Sequence, residues 1–354
     1  MPCTAFRNVL LCSVSFALLA CFVNLYAQQG EPEPQTGIIH RDAAVYSEMS
    51  GKIYIVDAPH NAVSIISSGN QATSVKVGTG PVSIGINQRT GMVYVVNSFE
   101  HSVSVIDGKT DAVVATVPTP ARSYAVAVDQ VHNKVYVANI FTNLLTIIDG
   151  DTNKASNIPA GSADAIIIDN ERDRVYLLHY ESDTLVELNP ATEATSKIPA
   201  GAMHLWAFLR AGTTLYVSHV QDSNIAAIDL DTHAIRTLPT GKMPCAFAFN
   251  SATSQLYVAN YVEGTVTVLD KDNVVATIKV PSHPQAIALD SAKSLLYVAS
   301  PQQNAVAVID VKSHRVVRTI PTTDHPYAIA INPTSHDVYT ANLGSVPFMH
   351  LPVR

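Results

Sequence analysis

Thirteen histidines are spread over 354 residues, and imidazole is both the commonest metal ligand and the side chain that titrates nearest neutral pH. Their spacing becomes informative against a tyrosine that recurs at Tyr54, Tyr94, Tyr136, Tyr176, Tyr216, Tyr257, Tyr297 and Tyr339, at intervals of 40 to 42 residues. Fourteen residues before it stand His40, Gly80, Arg122, Ser162, Ala202, Met243, His283 and His325. Three residues after it stand Asp57, Asn97, Asn139, His179, His219, Asn260, Ser300 and Asn342. If the units close a ring, His40, His283 and His325 come from three consecutive units at one rim, and these are the candidates for a divalent metal or a haem-like group. His179, His204 and His219 form a second group across the ring. Arg122, with Tyr124 and Tyr327, offers a cationic and aromatic lip for an anionic or sugar-like ligand.

A plainer reading competes at each position. The polar column after the tyrosine can cap strand ends and bond to loop backbone. Tyr124 and Tyr327 can fill gaps between units, and neighbouring units can hold histidines too far apart for metal bonds of about 2 Å. Trp206 is expected to pack between units, and Cys245 to be a buried, inert thiol. His132, His233, His314 and His336 are expected in exposed loops. No catalytic signature accompanies these residues: there is no His-Glu-x-x-His, no nucleophile elbow and no phosphate loop, and Gly78 and Gly80 precede no helix.

The elements that must position these side chains are strands. Each tyrosine lies in a short Val- and Ile-rich run such as Met92 to Val96. An upstream run (Ala125 to Val128, Ala286 to Leu289) and a downstream run (Val103 to Asp107, Val266 to Asp270) keep fixed offsets from it. Thirteen residues after the first seven tyrosines come Ser67, Asp107, Asp149, Asn189, Asp229, Asp270 and Asp310, side chains suited to Asx-type turns. A fourth strand follows, as at Ala112 to Val117. Four short antiparallel strands per unit of about forty residues make a β-propeller blade. The expected fold is an all-β propeller of eight blades, with seven as the alternative; Thr36 to Ile39 is expected to complete the last blade, closing the ring with both termini.

The segments Val135 to Asn139 (VYVAN) and Leu256 to Asn260 (LYVAN), with the recurrent Val-Ser-Val-Ile-Asp strand, resemble the YVTN β-propeller repeat family, including its YncE-like exported members. The resemblance runs from about residue 36 to the end. It implies fold strongly and function weakly, because the repeat residues serve packing.

Arg7 followed by the apolar run Val9 to Val23 reads as a signal peptide, residues 1–27, cleaved after Ala27; the alternative is a lipoprotein box with Cys21 acylated. A polar leader, 28–35, precedes the domain at 36–354. Cleavage leaves Cys245 as the only cysteine, so stability must come from the apolar core. The periplasm or the exterior is the expected compartment, with no transmembrane span after cleavage. A formal net charge of −7 argues against nucleic acid as a partner. The leading expectation is a monomeric, non-catalytic binding scaffold for a cell-envelope protein or small ligand at the channel mouth. Its rivals are a lactonase-like hydrolase and a periplasmic haem- or metal-binding propeller.

Overall fold

The computed structural model of this protein describes residues 42–352. The expected signal peptide, leader, closing strand at Thr36 to Ile39, His40 and Cys21 lie outside the described residues. The chain forms eight antiparallel sheets in sequence order, seven of four strands and a last one of three among the described residues. The innermost strands are Ala44–Tyr46, Pro81–Ile86, Ser123–Asp129, Ala165–Asp169, Leu205–Ala211, Pro244–Asn250, Ala286–Asp290 and Pro326–Ile331. Each touches its counterparts in the two adjacent blades, and the first touches the last. The protein is therefore an eight-bladed β-propeller.

Burial within a blade follows its place in the ring. Second and third strands such as Val338–Asn342 and Ala62–Ile66 are buried along their whole length, because both faces meet a neighbouring blade. The fourth strands are mostly exposed and bury at most one side chain: Val117, Ile158, Ile198, Leu238, Ile278 and Ile320 are buried in otherwise open strands, and Ala72–Lys76 of blade 1 buries none.

The recurrent tyrosine forms the seam between blades. Tyr94 packs with Val135, Val137 and Ile148 of the next blade, and Tyr136 with Val175 and Leu177. Tyr176 meets Leu215 and Val217, and Tyr257 meets Leu296 and Val298. At the closure, Tyr339 packs with Ile53 and Ile55 of blade 1. The hydroxyls of Tyr94, Tyr136 and Tyr176 find no hydrogen-bond partner among the described residues, so these rings act there as large apolar wedges. Burial pushes the phenols of Tyr54, Tyr94, Tyr176, Tyr257 and Tyr297 up to about 12.

The disc has two unlike faces. One carries the turns joining first to second and third to fourth strands. Asx caps hold these turns: Asp169 accepts from the backbone of Glu171 and Arg172, and Asp310 from Lys312 and Ser313. Ion pairs stitch the same face from blade to blade. Arg172 reaches Asp231 at 3.0 Å, Arg210 reaches Glu171 at 2.9 Å and buried Asp169 at 3.4 Å, and Lys52 reaches Asp111 at 2.7 Å. His132, an exposed loop residue as expected, and His336, half-buried, bind the buried carboxylates of Asp129 and Asp290, at 2.7 and 2.8 Å. This is the hairpin face; the opposite one is the mouth face.

The seam predicts an asymmetric response to mutation. Tyr94→Ala should lower unfolding free energy by about 3–5 kcal/mol, the usual cost of emptying an aromatic site. Tyr94→Phe should leave stability unchanged or slightly raised, because it removes a buried donor without a partner. Denaturant unfolding of both variants measures the difference.

Candidate functional site

The channel between the innermost strands encloses about 530 Å³ and is walled mainly by aliphatic side chains, among them Ile166, Ile168, Leu209, Ile287 and Ile329. Arg210 stands at its hairpin end and Asp42 at its mouth end. Around this channel each face of the disc presents a rim. On the mouth face that rim is built by two connections, the loop from second to third strand and the crossing from one blade to the next.

Apart from His179, the polar column three residues after the tyrosine faces inward. Asn97 donates its amide to Ser102 and Ser104, Asn139 donates to Leu144 O and Thr146, and Asn260 donates to Thr265 and Thr267. All three are fully buried, so they brace the loop rather than line a rim. His219 behaves likewise: it is 2 % exposed, its Nε2 lies 2.8 Å from Ala200 O and its Nδ1 2.8 Å from Asn224, leaving neither nitrogen for a metal.

The column before the tyrosine has a backbone explanation. Gly80, His204, Met243, His283 and His325 all have positive φ where the chain turns into an innermost strand. At Gly80 a side chain would run into the Phe99 ring. Elsewhere the carbonyls of Arg122, His204, Met243 and His325 accept from the loop backbone at Ile140, Val220, Tyr261 and Leu343. Seven histidines in all, including His101, His233, His314 and His336, sit at positive φ. Histidine tolerates the left-handed region better than most residues, so many were selected as turn formers.

Just inside that turn, most innermost strands carry a bulge against the second strand. The register slips at Val82, Tyr124, Cys245 and Tyr327, and at Trp206 in blade 5. A bulge re-aims its side chain. Tyr327 turns into the closure between blades 8 and 1, where it is buried and donates to Val56 O at 3.4 Å; it forms no part of a lip. Cys245 donates to Pro284 O and is buried. Tyr124 is half-buried. Trp206 is 36 % exposed, contrary to the expectation that it packs between units.

Three aromatic pairs mark the rim, each joining one blade to the next. Arg122 lies over the Phe99 ring at 4.8 Å. His283 meets Tyr261 at 4.8 Å, and its Nδ1 is buried without a partner among the described residues. His204 meets Tyr180 at 5.3 Å, and Tyr180 also packs edge-on against Trp206 at 6.2 Å. Beside this last group Asp164 accepts from His179 Nδ1 at 3.0 Å and from the Tyr180 backbone at 2.7 Å. Of the residues expected at the site, His179 and His204 thus come together around Tyr180. No three His, Cys, Asp or Glu groups among the described residues are placed to hold a metal ion.

Two imidazoles should titrate in opposite directions from 6.5. The hydrogen bond to Asp164 raises His179, whereas burial lowers His325 despite nearby Asp324. The Asp164–His179 pair therefore adds stability that is complete below 6.5 and fades as pH rises through the folded-state value. Keeping His325 neutral favours the fold above 6.5 and is lost on acidification. Histidine NMR titration should place His179 above 6.5 and His325 below it, and Asp164→Asn should bring His179 down.

No protein-family model matches this chain, and no curated protein matches it. Solved structures do. The chain is similar to "Dihydro-heme d1 dehydrogenase NirN in complex with DHE", with a TM-score of 0.73, 15 % identity, and coverage of 91 % of this chain and 77 % of that one. It is also similar to hydrazine synthase of Kuenenia stuttgartiensis, with a TM-score of 0.60, 15 % identity, and coverage of 91 % and 98 %. A computationally designed protein, Ika8, matches with a TM-score of 0.69, 12 % identity, and coverage of 87 % and 96 %. At such identities the likeness carries the propeller fold alone.

Proposed function

We propose that this chain is an exported, monomeric binding propeller of the YVTN-repeat, YncE-like kind, which receives a cell-envelope partner or small ligand on its mouth face. The observation that carries the reading is the contrast between faces. The hairpin face engages its charges with one another, through Asx caps and inter-blade ion pairs. The hairpin face exposes Met49 and Val131, whereas the mouth face leaves more apolar surface open: Phe141 is 83 % exposed, Val262 54 %, Met203 47 % and Trp206 36 %. Aromatic and aliphatic side chains held in solvent among polar ones are what an interaction face presents. The repeats VYVAN and LYVAN support the family, and Arg7 with the apolar run from Val9 to Val23 supports export.

Pull-down from a cell-envelope fraction tests this. Phe141→Asn, which suits the left-handed backbone at that position, and Trp206→Ala should abolish capture of the partner. Val131→Asn, an exposed residue of the hairpin face, should leave it unchanged. Equal loss in all three variants would refute the assignment of the face.

A second reading places a tetrapyrrole at the same mouth. Its support is the unpartnered Nδ1 of His283 and the His325 imidazole, whose pKa burial lowers, beside the likeness in fold to the dihydro-heme d1 dehydrogenase NirN. His283 and His325 would be the residues to hold such a group, and a bound haem would supply redox or ligand-binding chemistry. Titration of the purified protein with hemin should give a saturable Soret shift that His283→Ala removes. A spectrum identical to that of free hemin would exclude this reading.

A further inference from the structure

The geometry points to a site for a methylated ammonium group in the angle between Tyr180 and Trp206. Tyr180 stands at 83° to Trp206 and at 64° to His204, so the cluster presents walls in several planes rather than one flat platform. Such walls suit a rounded cation, whose methyl groups are weakly hydrated and gain from the negative faces of the rings. A sugar would be better served by a single exposed ring flanked by amides.

Charge points the same way. The eight loops joining second to third strands contain Glu100, Glu181, Asp183, Asp222 and Glu263 and no lysine or arginine, and the crossings between blades add Asp164 and Asp324 against Arg122 and Lys242, which leaves the rim acidic. All five carboxylate residues of the loops are exposed. Two acidic groups act on the cluster itself: after burial, and against a lowering by Gln221, Glu181 and Asp164 both push the Tyr180 phenol upward. An anion would meet unfavourable potential there, whereas a quaternary ammonium would meet aromatic walls and a negative surround without surrendering a tight hydration shell. A primary ammonium would cost more to desolvate.

The inference rests on the mouth face being the binding face and names the ligand chemistry of one part of it. The methylated ammonium can come from a free solute or from a phosphatidylcholine headgroup. Trp206 is the only tryptophan in the chain, so its fluorescence reports directly from the site.

The test titrates the full chain with tetramethylammonium chloride against matched sodium chloride, and separately with vesicles of phosphatidylcholine against vesicles of phosphatidylglycerol. The expected result is a saturable fluorescence change, specific to the methylated cation, with a dissociation constant at or below about 1 mM. Tyr180→Ala should weaken it by about tenfold, and Tyr180→Phe, which keeps the ring, should retain it. Response to the free cation identifies a solute, and response to phosphatidylcholine alone identifies a headgroup; either supports the site. Failure of both cation sources, or equal responses to sodium chloride or phosphatidylglycerol, overturns it, as does full affinity in Tyr180→Ala. If the mouth-face variants still abolish partner capture while no cation moves the fluorescence, the cage falls and the broader reading stands.

Discussion

A four-stranded blade with Val, Ile and Tyr on both faces cannot stand alone, because its second and third strands would leave two apolar flanks in water. Burial by a neighbour on either side is the constraint on which the rest of the molecule depends. The tyrosine is the residue through which it acts: wide enough to bridge to the next blade, and so deeply placed that several phenols find no hydrogen-bond partner among the described residues. Eight such seams fix the angle between blades, and that angle decides which loops share a face. The fourth strands, lying outside the seams, are free to be mostly polar or exposed, with at most one buried aliphatic residue each.

The period of that tyrosine made the blades, their number and their strand order legible, because packing demands the same residue at the same place in each repeat. The rim was less legible. Counting back from Tyr216 puts Ala202 in the column of His283 and His325, but the structural equivalent is His204. The reason is local: in blade 5 the first hairpin joins Ala211 to Thr214 across only two residues, whereas blade 3 joins Asp129 to Lys134 across four. A hairpin shortened by two slides the upstream strand by two and keeps its facing unchanged, so no hydrophobic pattern betrays the shift. The same slide hid Trp206, which takes the bulge position held by Tyr124, Cys245 and Tyr327 elsewhere. Tyr180, Tyr261 and Asp164 carry no signal in the sequence for another reason, since their meaning lies in contacts between blades that sequence spacing does not report.

The histidines teach a related distinction. An expectation built on imidazole chemistry gathered His40, His283 and His325 as potential ligands, yet backbone conformation accounts for the placing of His283 and His325, and of five further histidines, before any ligand is invoked. His219 and the column of asparagines are consumed in bracing loops. What remains for chemistry is the subset whose side chains emerge after the backbone has been satisfied: His204 against Tyr180, His283 against Tyr261, and His179 held by Asp164.

That subset clusters where two local devices meet, a left-handed turn into the innermost strand and a bulge directly after it. The turn sets the direction of the crossing from one blade to the next, and the bulge rotates one side chain out of the pleat. In blades 6 and 8 the rotated residue is Cys245 or Tyr327, which fits into the gap and disappears from the surface. In blade 5 it is an indole, which stays partly in solvent and finds Tyr180 of the preceding blade beside it. Repetition of the scaffold thus fixes where side chains can emerge, and the size of the residue at a single bulge decides whether a position becomes packing or surface. The seams can stay nearly identical from blade to blade while the mouth differs around the ring, which is how a fold built on sameness obtains a site with a definite place.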